Sequence, residues 1–114
     1  MAMTWDQVVA MATALPGVAE GTWWRSPGLN VGGKSFARLR DEAEGGLVLL
    51  CEPTEKEALL ASGDPAFYTT PHYDGYPYIL IDLDTVDPQQ LTELLDSAWW
   101  LRAPAKLRRA RQGS

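Results

Sequence analysis

A chain of 114 residues makes one domain and can bury a core without disulfides or a metal. Its single cysteine, Cys51, has no partner for an internal bridge, which suits a reducing, cytoplasmic setting, and no apolar run is long enough to cross a bilayer, so no membrane partner is expected. The net charge of −5 divides into −10 on residues 1–101 and +5 on residues 102–114. An acidic body repels phosphate backbones at long range, while the basic C-terminal segment attracts them locally.

Met1-Ala2-Met3 leads into a patterned helix with no basic stretch ahead of it, so no secretory signal is expected. Thr4 is an N-cap, Gln7 completes a capping box, and Trp5, Val8, Val9 and Ala12 fall on one helical face. This predicts a helix over residues 4–14, stopped by Pro16-Gly17. Thr22-Trp23-Trp24-Arg25 reads as a short strand. Residues 29–31 and 34–40 flank Gly32-Gly33, the pattern of a hairpin with a tight primed turn. A charged turn at 41–46 precedes a buried strand at 47–51. Thr54 is expected to cap a helix reaching Ala61, with Glu55 and Glu57 in its first turn, and Ser62-Gly63-Asp64-Pro65 ends it.

Phe67-Tyr68-Thr69 reads as extended and enters the stretch Thr70-Pro71-His72-Tyr73-Asp74-Gly75-Tyr76-Pro77, ahead of a strand over residues 78–82. Asp87 caps the next helix, with Pro88 at its first position and Gln90 in capping-box register. Leu91, Leu94, Leu95 and Ala98 form its inward stripe. Pro104 starts a last helical segment over 105–111, expected to fray. The order, roughly α-β-β-β-β-α-β-α, indicates an α+β domain: a single antiparallel sheet with helices packed on one face.

Side chains alternate along a strand. On residues 34–40, Ser35, Ala37 and Leu39 are expected beneath the helices, and Lys34, Phe36, Arg38 and Arg40 on the open face. Trp23 and Trp24 face opposite sides, with Arg25 on the Trp23 side. Cations and rings gathered on one face suit a nucleotide or single-stranded nucleic acid. The plainer reading is a solvated face whose arginines balance Asp41, Glu42 and Glu44.

Several stretches resemble the MmcQ/YjbR-like family of small bacterial proteins: Ala14-Leu15-Pro16-Gly17-Val18, Trp24 with Pro27, and Val31-Gly32-Gly33-Lys34-Ser35-Phe36-Ala37-Arg38-Leu39. Further on, Cys51 with Pro53, Thr70-Pro71-His72-Tyr73, Gly75-Tyr76-Pro77, Leu83 to Asp87-Pro88, Ala98-Trp99 and Ala103-Pro104-Ala105-Lys106-Leu107 continue the likeness. The resemblance implies a CyaY/frataxin-like, double-wing fold and a DNA-binding label. It brings no catalytic residues. Gly28 and Asn30 depart from the family pattern, which tends to an aromatic and a basic residue there.

The remaining residues with chemistry form no catalytic constellation. His72 is the only side chain whose ordinary titration lies near neutrality, and it is expected to hydrogen-bond backbone and pin its loop. Cys51 reads as a buried thiol. One histidine and one cysteine make no zinc site, and no cofactor or metal is expected. Gly32-Gly33-Lys34-Ser35 lacks the spacing and the strand-loop-helix context of a phosphate-binding loop. Trp100 lies opposite the inward stripe, so it needs cover from the C-terminal segment, with Arg108 or Arg109 stacked on it, or from a second copy in a weak homodimer.

Two functional expectations follow. In the first, a non-enzymatic module binds DNA, with Lys34, Arg38, Arg40 and the C-terminal bases on phosphates and Trp23 or Phe36 stacking. In the second, a pocket walled by Trp24, His72, Tyr73, Tyr76 and Tyr78 takes a small molecule, with Lys34 or Arg38 fixing an anion.

Overall fold

The capping box at Thr4 forms: its Oγ1 accepts from the Gln7 N–H at 3.2 Å, and Gln7 Oε1 accepts from the Thr4 N–H at 2.9 Å. From there the computed structural model, which describes residues 3–23, 26–40 and 46–113, runs α1 (Trp5–Thr13), β1 (Val18–Trp23), β2 (Ser26–Val31), β3 (Lys34–Leu39), β4 (Leu47–Leu50) and α2 (Pro53–Ala61). It continues with β5 (Phe67–Tyr68), β6 (Tyr78–Ile81), α3 (Pro88–Arg102) and α4 (Ala105–Gln112). The strands form one sheet in the order β1-β2-β3-β4-β6-β5, every pair antiparallel. This is the expected α+β architecture. The expected charged turn falls largely on 41–45, outside the described residues.

Boundaries shift where local chemistry outweighs the pattern. β1 starts at Val18, ahead of the β-favouring Thr22-Trp23, because it pairs with the whole of β2 from Val18↔Val31 to Trp23↔Ser26. α2 begins at Pro53 with Glu52 as its cap residue, so Thr54 is not the cap. Proline's fixed φ and missing N–H suit the first helical position and start the helix two residues early. The Gly32-Gly33 hairpin is as expected: Val31 pairs with Lys34, and both glycines have positive φ, 60° and 80°.

A β-bulge corrects the predicted facing of β3. Leu29 pairs with Ala37 but Asn30 pairs with Ser35, so Phe36 has no opposing residue. The extra residue inverts the alternation. Ala37 and Leu39 lie on the helix side, as expected, but Phe36 joins them and is fully buried in the main core. Lys34 pairs with the core residue Val31 at the exposed hairpin tip and does not share the Arg38 face.

The helix side carries the main core. α1 packs on β1 and α3, and α3 on β3 and β4, over Leu29, Val31, Leu47, Leu49, Ile79 and Ile81. Trp99 on α3 is fully buried, and its indole N–H donates to the Pro16 carbonyl at 2.7 Å, tying α3 to the end of α1. Trp100 stacks edge-on against Trp99, with ring centres 4.9 Å apart. The Arg111 guanidinium lies 5.0 Å from the Trp100 ring centre and pairs with Asp96. The chain's own α4 therefore covers Trp100, through Arg111 in place of the expected Arg108 or Arg109.

The second face of the sheet is covered by a loop. Val48 and Leu80 are cross-strand partners facing away from the helices, and Tyr73 packs on both to form a separate small core. Only 9% of Tyr73 is exposed. Lys56 holds the loop down. It is 8% exposed, and its Nζ donates to the carbonyls of Tyr73 at 2.9 Å and Tyr76 at 2.8 Å. The Cys51 N–H donates to the Pro77 carbonyl at 2.9 Å, closing the loop's far end. Pinning thus falls to Lys56, where His72 was expected.

Replacing Lys56 by methionine keeps the length but leaves two loop carbonyls without a donor. Charge-assisted bonds of this kind set an expected loss of about 2–3 kcal/mol in chemical denaturation. Cys51 gives a second test. Burial first, and the neighbouring Glu55 carboxylate second, push its thiol up to about 12. The folded thiol is expected to resist alkylation at about pH 8 and to react promptly once unfolded, as mass spectrometry would show. Because folding raises this value from 9.0, the thiol's contribution to stability is full below pH 9.0 and lost as pH climbs towards 12.

Candidate functional site

Arg38 sits at the middle of the second face because of register. Its cross-strand neighbours are Gly28 on β2 and Val48 on β4. Gly28 presents no side chain of its own and is buried.

On the other side the Pro-rich loop forms a wall. The Thr70 carbonyl accepts from the N–H groups of Tyr73 at 3.0 Å and Asp74 at 2.9 Å, a tight turn that aims Tyr73 back at the sheet. An Arg38 Nη2 group donates to the Tyr73 hydroxyl, and the guanidinium carbon lies 5.9 Å from the Tyr73 ring centre. The His72 ring stands edge-on to Tyr73, with centres 4.8 Å apart and planes at 82°. Tyr73 also meets the Tyr78 ring at 6.3 Å, and the Tyr78 hydroxyl accepts from Arg102 at 3.3 Å.

Between strand and loop lies a cleft of about 340 Å³ lined by Arg38, Arg40, Thr70, Pro71, His72 and Tyr73. Arg40 follows Arg38 by two residues and shares its face. Both arginines are half-buried, while His72 and Pro71 are exposed. The cleft can offer planar guanidinium donors, a hydroxyl and an imidazole to one ligand.

Four predicted site residues thus converge: Arg38, Arg40, His72 and Tyr73. Lys34 stands apart at the hairpin tip, and Phe36 is inside the core. Tyr76 is 60% exposed, and its carbonyl serves the Lys56 clamp. Tyr78 supports the loop from below. Trp24 and Arg25 lie outside the described residues, and Trp23 is described only as the last residue of β1. Of the basic C-terminal residues, Arg102 and Arg111 turn inward to Tyr78 and Asp96. Among the described residues no group of three or more His, Cys, Asp and Glu side chains gathers in a way that could hold a metal ion.

One site feature escaped the sequence reading. Lys56 was counted only as a charge. Its signal is its spacing: it shares a helical face with Leu59, three residues on, and that face packs inward.

The sequence model of the YjbR family matches residues 13–101. Mb2600, an uncharacterized protein of Mycobacterium bovis, is 31% identical over 118 aligned residues, covering 91% of this chain and 92% of its own. Rv2570, an uncharacterized protein of Mycobacterium tuberculosis, matches with the same identity and coverage. The crystal structure of DR2400 from Deinococcus radiodurans, described by its DUF419 domain, superposes with a TM-score of 0.73 at 22% identity, over 86% of this chain and 77% of that one. The last shows a shared fold. The family match spans most of the sequence, from the end of α1 through nearly all of α3. The chain belongs to the YjbR family.

Proposed function

We propose that this domain is a non-enzymatic binding module whose cleft between β3 and the Pro-rich loop takes a small phosphate- or carboxylate-bearing molecule. The observation that supports this reading is the convergence of Arg38 and Arg40 with Thr70, His72 and Tyr73 around one cavity. Guanidinium forks suit planar anions, and a cavity of about 340 Å³ sits at the small end of ligand sites. Net negative charge on the body is no obstacle to a small anion held at short range by two arginines, because screening confines the repulsion to about 10 Å.

α4 favours a second reading, the DNA binding that the family resemblance implies. Arg111 anchors this helix, while Lys106 and Arg109 are exposed and Arg108 is half-buried. Three cations on a docked helix offer phosphate contacts away from the cleft.

Calorimetric titration with inorganic phosphate and adenosine 5′-monophosphate, beside anisotropy of a labelled single-stranded oligonucleotide, separates the two. The cleft reading expects the small anions to bind, Arg40→Gln to weaken them about 10-fold, and Lys106→Gln with Arg109→Gln to leave them unchanged. The helix reading expects oligonucleotide binding with a salt slope of roughly −2 to −3, lost in the α4 variant and kept in Arg40→Gln. Absence of binding by every probe overturns both.

A further inference from the structure

A second cavity, of about 530 Å³, has the opposite chemistry. It opens where the start of α1, the end of β3, β5 and the turn after β6 meet. Its lining residues include the aromatic Trp5 and Tyr68, the acidic Asp82 and Asp84, and the apolar Leu39 and Leu83. No lysine or arginine among the described residues lines it.

Several bonds build this cavity. The Trp5 indole N–H donates to Glu20 at 3.1 Å, which fixes the ring plane. The Asp84 N–H donates to Asp82 Oδ1 at 2.9 Å, so the two acidic side chains leave one tight turn. The Met3 N–H donates to the Leu83 carbonyl at 2.8 Å and closes one end. At Gly46 even a methyl group would come within 2.5 Å of the Tyr68 hydroxyl, so glycine, at φ 88°, permits that ring's placement.

Aromatic faces carry negative quadrupoles that attract cations, and carboxylates add charge of the same sense. Apolar lining residues suit the methyl or methylene groups beside a cationic nitrogen. The −10 body raises the local concentration of cations around such a site. We infer that this cavity binds an alkylammonium ion, with Asp82, Asp84, Trp5 and Tyr68 as the lining residues that attract it. The site is separate from the anion cleft, and neither depends on the other.

The test is calorimetric titration of the full chain with butyltrimethylammonium and with butylammonium, using neutral butanol as the control. Expected is an affinity on the order of millimolar for at least one cation and none measurable for butanol. Asp84→Asn, an exposed change that spares the fold, should weaken the cation about 3- to 10-fold. Trp5→Leu should weaken it about 2- to 5-fold, and Arg40→Gln should leave it unchanged. Equal binding of cation and alcohol, no cation binding, or cation binding that ignores both Asp84→Asn and Trp5→Leu would overturn the inference.

Discussion

A sheet covered by helices on one side leaves its other face to water, and the central strands here are too apolar for that. All of Leu47–Leu50 and Ile79–Ile81 are buried. With side chains alternating, such runs need cover on both faces. The helices supply one cover and the Pro-rich loop supplies the other, with Tyr73 seated on Val48 and Leu80. Burial of two aliphatic side chains is worth about 3–5 kcal/mol, a large share of the roughly 5–15 kcal/mol that holds a domain of this size together. The loop is therefore part of the fold before it is part of any site.

That constraint places the cleft. The loop is held at its turn by the Thr70 carbonyl, underneath by Lys56, and at its end by the Cys51 N–H. Its rim then stands beside β3, and among the described residues Arg38 and Arg40 line the gap from that side. The bulge at Phe36 decides which these are. It sends Phe36 into the main core and leaves Arg38 and Arg40 facing the loop. The broad basic-aromatic platform expected from strict alternation becomes a narrow cleft with two arginines, a tyrosine and a histidine.

Much of this was legible in the residues. The capping box at Thr4, the Gly32-Gly33 hairpin, the Asp87-Pro88 helix start and the inward stripe of α3 were readable because each depends on neighbours a few positions away. The convergence of Arg38 with His72 and Tyr73 was foreseen only as a choice among aromatic and basic residues, since it requires β3 and the loop to meet across the sheet. Phe36 was misplaced because a bulge adds one residue without any glycine or proline to announce it. The need for a second cover was written in the non-alternating Leu47-Val48-Leu49-Leu50 run, which was read as buried but not as buried on both faces. Lys56 was missed because a lysine among glutamates reads as a solvated charge. Its partners are backbone carbonyls seventeen and twenty residues away, which leave no mark in sequence.

The most direct test of this account is a nuclear Overhauser measurement on the full chain with labelled methyl groups. The expected result is strong cross-peaks from the Tyr73 ring protons to the methyls of both Val48 and Leu80, with the 70–77 loop in one conformation. Methyls of Val48 and Leu80 that show no contact with Tyr73 would contradict it. The second face would then be open, and the cleft beside Arg38 and Arg40 would lose its wall.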